Sequence, residues 1–391
     1  MVFPAPGITG GRPVVRLVIS GYYGFRNSGD EAVLQSILLA LQEQGELQGI
    51  RVEPVVLSAD PELTRAMYGV ETCHRMRYAD VSEALRDSDG LISGGGSLLQ
   101  DATSAKTIPY YLGVIKLAQL LGKPTFIYSQ GIGPVRRKLF YPLIRSVFRK
   151  AKYVSVRDRE SAELLAEMGL RVPVEVVPDP VMGLPLKDET GYAQGMAVGE
   201  AAEMPPARPS GKRPVIGVSV RYWNDDRTDL NSIAEALDRM LDESDANIRF
   251  LPFHLPSDEQ ASEYISNKLS RQERVAIARG VEHPQDMLAK VATCDLLIGM
   301  RLHSLIYAAS QGVPMVGISY DPKIDQFLHR LGMRAASSTE RMSVPEIVRE
   351  SAALLAGKTE WQREKRAAID ELKRQAQLPA QQICSYFRSK G

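Results

Sequence analysis

The chain has 391 residues, and 48 Lys and Arg side chains against 47 Asp and Glu give it a formal net charge of +1. The length predicts two domains rather than one small module, and the near-neutral charge excludes the global basic field that holds nucleic acid. The three cysteines, Cys73, Cys294 and Cys384, are too dispersed for a disulfide framework or a four-thiolate zinc site, which predicts a reducing, cytoplasmic environment.

The N-terminal residues MVFPAPGITGGRP lack the basic and apolar regions of a secretory signal, and no apolar run reaches the roughly 18 residues of a membrane span. We therefore expect a cytoplasmic protein, with peripheral contact at the inner face of the cell membrane left open. A cluster of basic residues either faces anionic lipid or forms a solvated helix face, and the sequence favours the second: Arg136, Arg137, Lys138, Arg145, Arg149 and Lys150.

The first half of the chain alternates short apolar runs with segments of helical periodicity. The runs VVRLVIS, VEPVVLS, DGLISGG, PTFIYSQ, YVSVRD and VEVVPDP predict strands, and EAVLQSILLALQEQG, IPYYLGVIKLAQLLG and KLFYPLIRSVFRKA predict helices. This alternation is typical of a parallel, doubly wound α/β sheet, which we assign to a Rossmann-like domain over residues 1–185.

A change of composition separates this domain from a second one. Residues 186–213 are rich in Gly, Ala, Pro and charge, which predicts a linker. The runs PVIGVSVR, NIRFLPFH, RVAIARG, DLLIGMR and PMVGISY then predict a second Rossmann-like sheet over 214–355, and 356–391 predict a helical tail that packs back on the first domain. Since ligands of such sheets bind beyond the carboxyl ends of the strands, we expect the site in a cleft between the domains.

Two glycine-containing loops follow predicted strands of the first domain. In GYYGFRNSGDE, Asn27, Asp30 and Glu31 either bind a ligand or cap the next helix. In SGGGSLLQD, the N–H groups of Gly95 and Gly96 either cradle a ligand or lie in a run kept small for packing. Neither loop has G-x-G-x-x-G spacing or a P-loop lysine, so neither NAD binding nor ATP hydrolysis is predicted.

The second domain carries a run of cations at predicted strand ends. Arg221 closes the first strand, and its planar fork matches a carboxylate or a phosphate. Arg301, Leu302 and His303 join a buried strand to a helix start, which combines positive charge with a side chain that moves protons near neutral pH. Lys323 follows the next strand and adds a point charge, or is simply solvated.

The end of the run NIRFLPFH and the residues that follow it offer weaker candidates, with Phe253 and His254 as ligand contacts and Ser257 or Asp258 as a helix cap. No HxH or HExxH motif occurs, so we expect chemistry that needs neither a metal nor another cofactor.

Taken together, GYYGFRNSGDE, SGGGSLLQD, YSQGIGP, SVRDRES, PDPV, VSVR and MRLHSLIYAASQGVP resemble the polysaccharide pyruvyl transferase family over roughly residues 14–330. The resemblance is closest to the branch that pyruvylates secondary cell-wall polysaccharide for surface-layer anchoring. It implies a GT-B-like fold, phosphoenolpyruvate as a co-substrate, and a 4,6-linked pyruvate ketal as the product. The implied acceptor is N-acetylmannosamine in a lipid-linked disaccharide.

The resemblance also implies roles for individual residues. His303 is the expected catalytic acid, and the expected donor-binding residues are Arg221, Arg301, Leu302 and Lys323. The loop residues Asn27, Asp30, Glu31, Gly95 and Gly96 are the expected acceptor-binding residues. Two other functions stay open, since a fold does not name a reaction: a GT-B glycosyltransferase with a nucleotide-sugar donor, and a non-catalytic sugar-phosphate binding or scaffold protein.

Overall fold

The computed structural model describes residues 12–101, 106–187 and 213–390, and these residues group into two compact units. The N-terminal unit contains residues 12–25, 30–184 and 372–390, and the C-terminal unit contains residues 26–29, 185–187 and 213–371. Most of the predicted linker, 188–212, lies outside the described residues.

The N-terminal unit is built on a parallel sheet in the order β3-β2-β1-β4-β6-β7-β8, with β5 paired to β6. Its strands are β1 Val14–Ser20, β2 Arg51–Ser58, β3 Glu71–His74, β4 Gly90–Ser93, β5 Gly96–Leu99, β6 Thr125–Ile132, β7 Tyr153–Val156 and β8 Glu175–Val176. The helices between them are α1 Ser28–Gln48, α2 Pro61–Tyr68, α3 Tyr78–Arg86, α4 Thr107–Leu120, α5 Tyr141–Phe148 and α6 Arg159–Glu167. Each of the six predicted strands is present, and β3 and β5 are additional.

The C-terminal unit has a second parallel sheet, in the order β11-β10-β9-β12-β13-β14. Its strands are β9 Val215–Ser219, β10 Asn247–Phe250, β11 Val275–Ile277, β12 Leu296–Gly299, β13 Met315–Ser319 and β14 Ser337–Ser338. Its helices are α7 Thr228–Glu243, α8 Ser257–Ser266, α9 Pro284–Ala292, α10 Leu302–Ser310, α11 Pro322–Arg330 and α12 Val344–Ala356. The prediction of two Rossmann-like parallel-sheet halves is confirmed.

The C-terminal tail is two helices, α13 Lys358–Ala376 and α14 Leu378–Arg388. Helix α14 packs on the sheet of the N-terminal unit, where the rings of Tyr386 and Phe387 lie 5.2 and 5.6 Å from the ring of Phe126. Cys384 is fully buried there. Across the described ranges, none of the helices combines the length and apolarity that crossing a bilayer requires.

Candidate functional site

Four neighbouring strands of the C-terminal unit, β10, β9, β12 and β13, end at one edge of the sheet because they are parallel. The chain segments that leave this edge carry His254, Arg221, Arg301 and Lys323. The sheet topology therefore places three cationic side chains at one edge, although Arg221 and Lys323 are more than a hundred positions apart in the sequence. This edge is the candidate donor site.

Arg221 is held in place by aromatic side chains. Its Nη1 donates a hydrogen bond of 2.9 Å to the Tyr320 hydroxyl, and its guanidinium carbon lies 4.9 Å from the Tyr320 ring and 5.2 Å from the Trp223 ring. Across residues 12–101, 106–187 and 213–390, no carboxylate forms an ion pair with Arg221. A positioned cation without a carboxylate partner is suited to an anionic ligand.

Arg301 has a different environment, because one edge of its guanidinium forms an ion pair with a buried carboxylate. Its Nε donates to Asp258 Oδ2 over 2.9 Å, and its Nη2 makes a close second contact with Asp258 Oδ1. Asp258 is fully buried and also accepts the backbone N–H groups of Phe253 and His254, at 3.2 and 3.0 Å. The suggestion that Asp258 caps α8 is wrong, since this carboxylate instead fixes Arg301 and the preceding loop.

His254 lies beside both arginines. Burial, with the positive charges of Arg301 and Arg221, lowers its pKa, and the negative charge of Asp258 opposes the shift. The imidazole is therefore neutral near pH 7 and adds no positive charge of its own. Burial is the main cause of this shift, and the charges of the two arginines add to it.

His303 lies in the first turn of α10, with Arg301 at the N-cap and Leu302 as the first helical residue. Leu302 has no polar side-chain atom, so its part in donor binding would fall to its backbone. A Cβ atom placed on Gly29 would lie only 2.1 Å from His303 Nδ1. The imidazole thus rests directly on the bare backbone of Gly29, a contact that needs glycine at that position.

The short segment 26–29 is held within the C-terminal unit by its own contacts. Asn27 forms an antiparallel bridge with His254, and the N–H of Ser28 donates 2.8 Å to the Phe253 carbonyl. The Tyr307 hydroxyl donates 3.2 Å to the Ser28 carbonyl. Asn27, predicted to bind the acceptor, therefore lies with the residues of the candidate donor site.

Lys323 is the second residue of α11, and the helix is capped by Asp321, which accepts the Lys323 N–H at 3.0 Å. The Lys323 ammonium lies 4.0 Å from the other oxygen of the same carboxylate. Its positive charge is thus partly offset by Asp321, and its role as a point charge for phosphate stays a prediction.

In the N-terminal unit, Glu31 does not have the exposure expected of an acceptor ligand. Its side chain is 2% exposed, and its oxygens accept 2.8 Å from the Gly24 N–H and 2.9 Å from the Tyr68 hydroxyl. Burial raises its pKa, and both hydrogen bonds oppose that shift. This carboxylate holds the β1–α1 loop in shape, and its role in acceptor binding stays a prediction.

Gly95 and Gly96, the two glycines after β4 that were predicted to bind the acceptor, have different surroundings. A Cβ on Gly95 would meet Val33 at 2.9 Å, so the absence of a side chain there is a packing requirement. Gly96 has a φ of +89° and begins β5, where the sequence predicted a loop. A Cβ on Gly96 would lie 3.2 Å from Asp30 Oδ1, so Gly96 and the half-buried Asp30 are neighbours.

Sequence reasoning missed an arginine surrounded by aromatic rings near Asp30. Arg75 is 8% exposed, its Nη1 donates 3.0 Å to the Gly21 carbonyl, and its guanidinium carbon lies 4.4 Å from the Tyr110 ring and 5.3 Å from the Phe25 ring. The Phe25 ring stacks on Tyr22 at 3.9 Å. The aromatic doublets in the sequence were the available signal, but their spacing does not reveal that they converge on Arg75.

A family model described as polysaccharide pyruvyl transferase matches residues 27–322 of the chain. Among curated proteins, the amylovoran biosynthesis protein AmsJ of Erwinia amylovora is 20% identical over 273 residues, which is 66% of this chain. The chain spans 63% of the length of that relative.

Two solved structures share the fold. A UDP-GlcNAc 2-epimerase from Neisseria meningitidis bound to UDP-GlcNAc has a TM-score of 0.60 at 11% identity and covers 97% of this chain and 100% of its own. Anabaena HepE in complex with UDP-glucose has a TM-score of 0.58 at 12% identity and covers 96% and 100%. At this identity the likeness concerns architecture alone, and it confirms the predicted GT-B-like fold.

Proposed function

Since the chain belongs to the polysaccharide pyruvyl transferase family, we propose that it transfers the pyruvate unit of phosphoenolpyruvate to a sugar as a 4,6-linked ketal. The observation that carries the proposal is Arg221, a guanidinium positioned by Tyr320 at the same sheet edge as His303. No carboxylate neutralises Arg221 in the part of the chain that the structure describes. The edge thus combines a cation for the donor with a group that transfers a proton.

Phosphoenolpyruvate carries a carboxylate and a phosphate, both of which accept paired hydrogen bonds from a guanidinium fork. We assign the principal anion contact to Arg221. Arg301 supplies positive charge, but its Nε and Nη2 edge is directed at Asp258, so any contact with the donor uses the rest of the group. Lys323 contributes a point charge beside the N-terminus of α11.

His303 is the proposed general acid. As an imidazolium it protonates the methylene carbon of the enol, and the resulting oxocarbenium carbon is attacked by one sugar hydroxyl. The C–O bond to phosphate then breaks, and the second hydroxyl attacks the same carbon to close the ketal. Two hydroxyl protons are released: one restores the imidazolium and the other leaves with phosphate.

The finer part of the proposal concerns the acceptor, which we take to be N-acetylmannosamine of a lipid-linked disaccharide destined for cell-wall polysaccharide. Asp30 and the adjacent backbone of Gly96 offer hydrogen-bonding groups for sugar hydroxyls. The partly exposed Tyr22 ring, stacked on Phe25, offers a flat apolar face for a pyranose. Glu31 is not part of this set because it is buried.

The test is incubation of the purified protein with phosphoenolpyruvate and an aminosugar acceptor, free, UDP-linked or lipid-linked. We expect phosphate release together with a pyruvate ketal adduct detected by mass spectrometry. Parallel reactions with a UDP-sugar test the glycosyltransferase alternative, and UDP release without phosphate release would overturn the proposal. His303→Gln should retain phosphoenolpyruvate binding in calorimetry while turnover falls about 10²–10⁴-fold.

A further inference from the structure

A second feature, outside the proposed active site, lies on the N-terminal unit. The 3-10 helix Lys138–Phe140 continues directly into α5, and Ile144, Val147 and Phe148 anchor this segment in the core. Its outer side exposes Leu139 and Leu143, which are 65% and 52% accessible. We call residues 136–150 of this outer side the basic leucine face.

Six exposed cations flank the two leucines in the sequence: Arg136, Arg137, Lys138, Arg145, Arg149 and Lys150. None of them forms an ion pair with any residue in 12–101, 106–187 or 213–390. Two carboxylates lie near this segment: Asp101 accepts the backbone N–H groups of Arg136 and Arg137, each at 2.8 Å, and interacts with the Arg137 charge, and Glu167 interacts with Tyr141. The sequence contains no Asp or Glu between 134 and 157.

This concentration of charge is local, because the whole chain carries 48 basic and 47 acidic side chains. A solvated helix face explains exposed arginines and lysines, but it does not explain two large exposed leucines four residues apart in their midst. Leucines enter the boundary between lipid headgroups and acyl chains, while flanking cations pair with anionic headgroups. Nucleic acid would use the cations but gain nothing from the leucines.

We propose that the basic leucine face binds the surface of an anionic lipid bilayer. The face is independent of Arg221 and His303, so the protein would bind membranes whether or not it transfers pyruvate. Each cation near an anionic surface contributes about fivefold to partitioning, so removing three lowers it about a hundredfold. The attraction also weakens as added salt screens the charges.

The test is co-sedimentation of the full chain with two kinds of vesicle, phosphatidylcholine alone and phosphatidylcholine mixed with phosphatidylglycerol. We expect binding to the mixed vesicles only, with release by salt. The charge variant R136Q/R137Q/K138Q should bind about a hundredfold more weakly, and L139Q/L143Q should also lose most binding.

Matched controls come from the same unit. Leu47 and Leu120 are both 72% exposed, so L47Q/L120Q removes two exposed leucines elsewhere. R65Q/R86Q/R171Q removes three exposed cations elsewhere and gives the same net charge as the charge variant. Both should bind like the unmodified protein.

Three outcomes would overturn the proposal: no binding to mixed vesicles, equal binding to pure phosphatidylcholine, or equal loss in the matched controls. Circular dichroism of each variant separates loss of binding from loss of folding. Phosphate release with a water-soluble acceptor, without vesicles, should be the same in L139Q/L143Q as in the unmodified protein. If neither the unmodified protein nor L139Q/L143Q releases phosphate, the proposed function is refuted. The vesicle experiment still tests the membrane proposal in that case.

Discussion

Replacing Gly29 with alanine tests the proposed catalytic imidazole without changing it chemically. Gly29 is the second residue of α1 and is not among the glycines with positive φ, so alanine suits its backbone. In a helix, alanine is favoured over glycine by up to about 1 kcal/mol, so the substitution should not unfold the protein. The added methyl group instead disturbs the contact between the Gly29 backbone and the His303 imidazole.

The size of the effect follows from the geometry. The added carbon would lie 2.1 Å from His303 Nδ1 and 2.6 Å from Cγ. Non-bonded heavy atoms settle at about 3.5–4.0 Å, so the imidazole must move by roughly 1.5 Å. Because a misplacement of about 1 Å can cost about 10²-fold in rate, we expect turnover of Gly29→Ala to fall at least about 100-fold.

The assay is phosphate release at saturating phosphoenolpyruvate, with a thermal melt of each variant. Gly113→Ala is the matched control, because a Cβ on Gly113 meets nothing within 4 Å in helix α4. The double variant G29A/H303A should turn over no more slowly than H303A, since both changes act through one group. Turnover of Gly29→Ala within about threefold of the unmodified protein would refute the reasoning.

Three further predictions concern charges. Arg221→Ala should raise the KM for phosphoenolpyruvate about 10–100-fold, and Arg221→Lys should recover only part of it because the fork is lost; initial rates against donor concentration measure both. Asp258→Ala leaves Arg301 without its buried partner and should lower the free energy of unfolding by about 3 kcal/mol, measured by urea unfolding. Burial lowers the pKa of His283 to about 4, so between about pH 6.5 and 4 the unfolded state binds a proton that the folded state does not. The free energy of unfolding should therefore fall as pH drops through that window, by up to about 3 kcal/mol. His283→Asn, whose side-chain oxygen can replace His283 Nδ1 as the acceptor of the Gln285 N–H at the start of α9, should flatten the profile.

The sequence predicted the two sheets because a buried parallel strand is a continuous apolar run, and such runs can be read without tertiary information. The same rule overlooked β5, in which Gly96 and Ser97 precede two buried leucines and mask the apolar pattern. It also overlooked β3, whose sequence ETCH has no apolar run. Both strands owe their pairing to neighbouring strands, which only the folded chain supplies.

Charged residues were harder to assign than strands. The cations at the strand ends were found because topology alone brings them together, but their partners were not. Asp258 is 43 positions from Arg301, and nothing local in PSDE marks it as the carboxylate of that pair. The burial of Glu31 was not predicted either, because its hydrogen-bond partners Gly24 and Tyr68 are 7 and 37 positions away in the sequence.

The first residues of the loop that the sequence assigned to the acceptor support the His303 imidazole. Asn27 accepts the Gly29 N–H at 3.1 Å, and Ser28 is tied to Phe253 and Tyr307, so these residues fix the backbone on which His303 rests. If the loop served only as an acceptor ligand, Gly29→Ala would change the acceptor KM and leave the pH profile of turnover unaltered. Because it supports the imidazole, we expect the substitution to lower kcat and shift that profile, and the two readouts distinguish these roles.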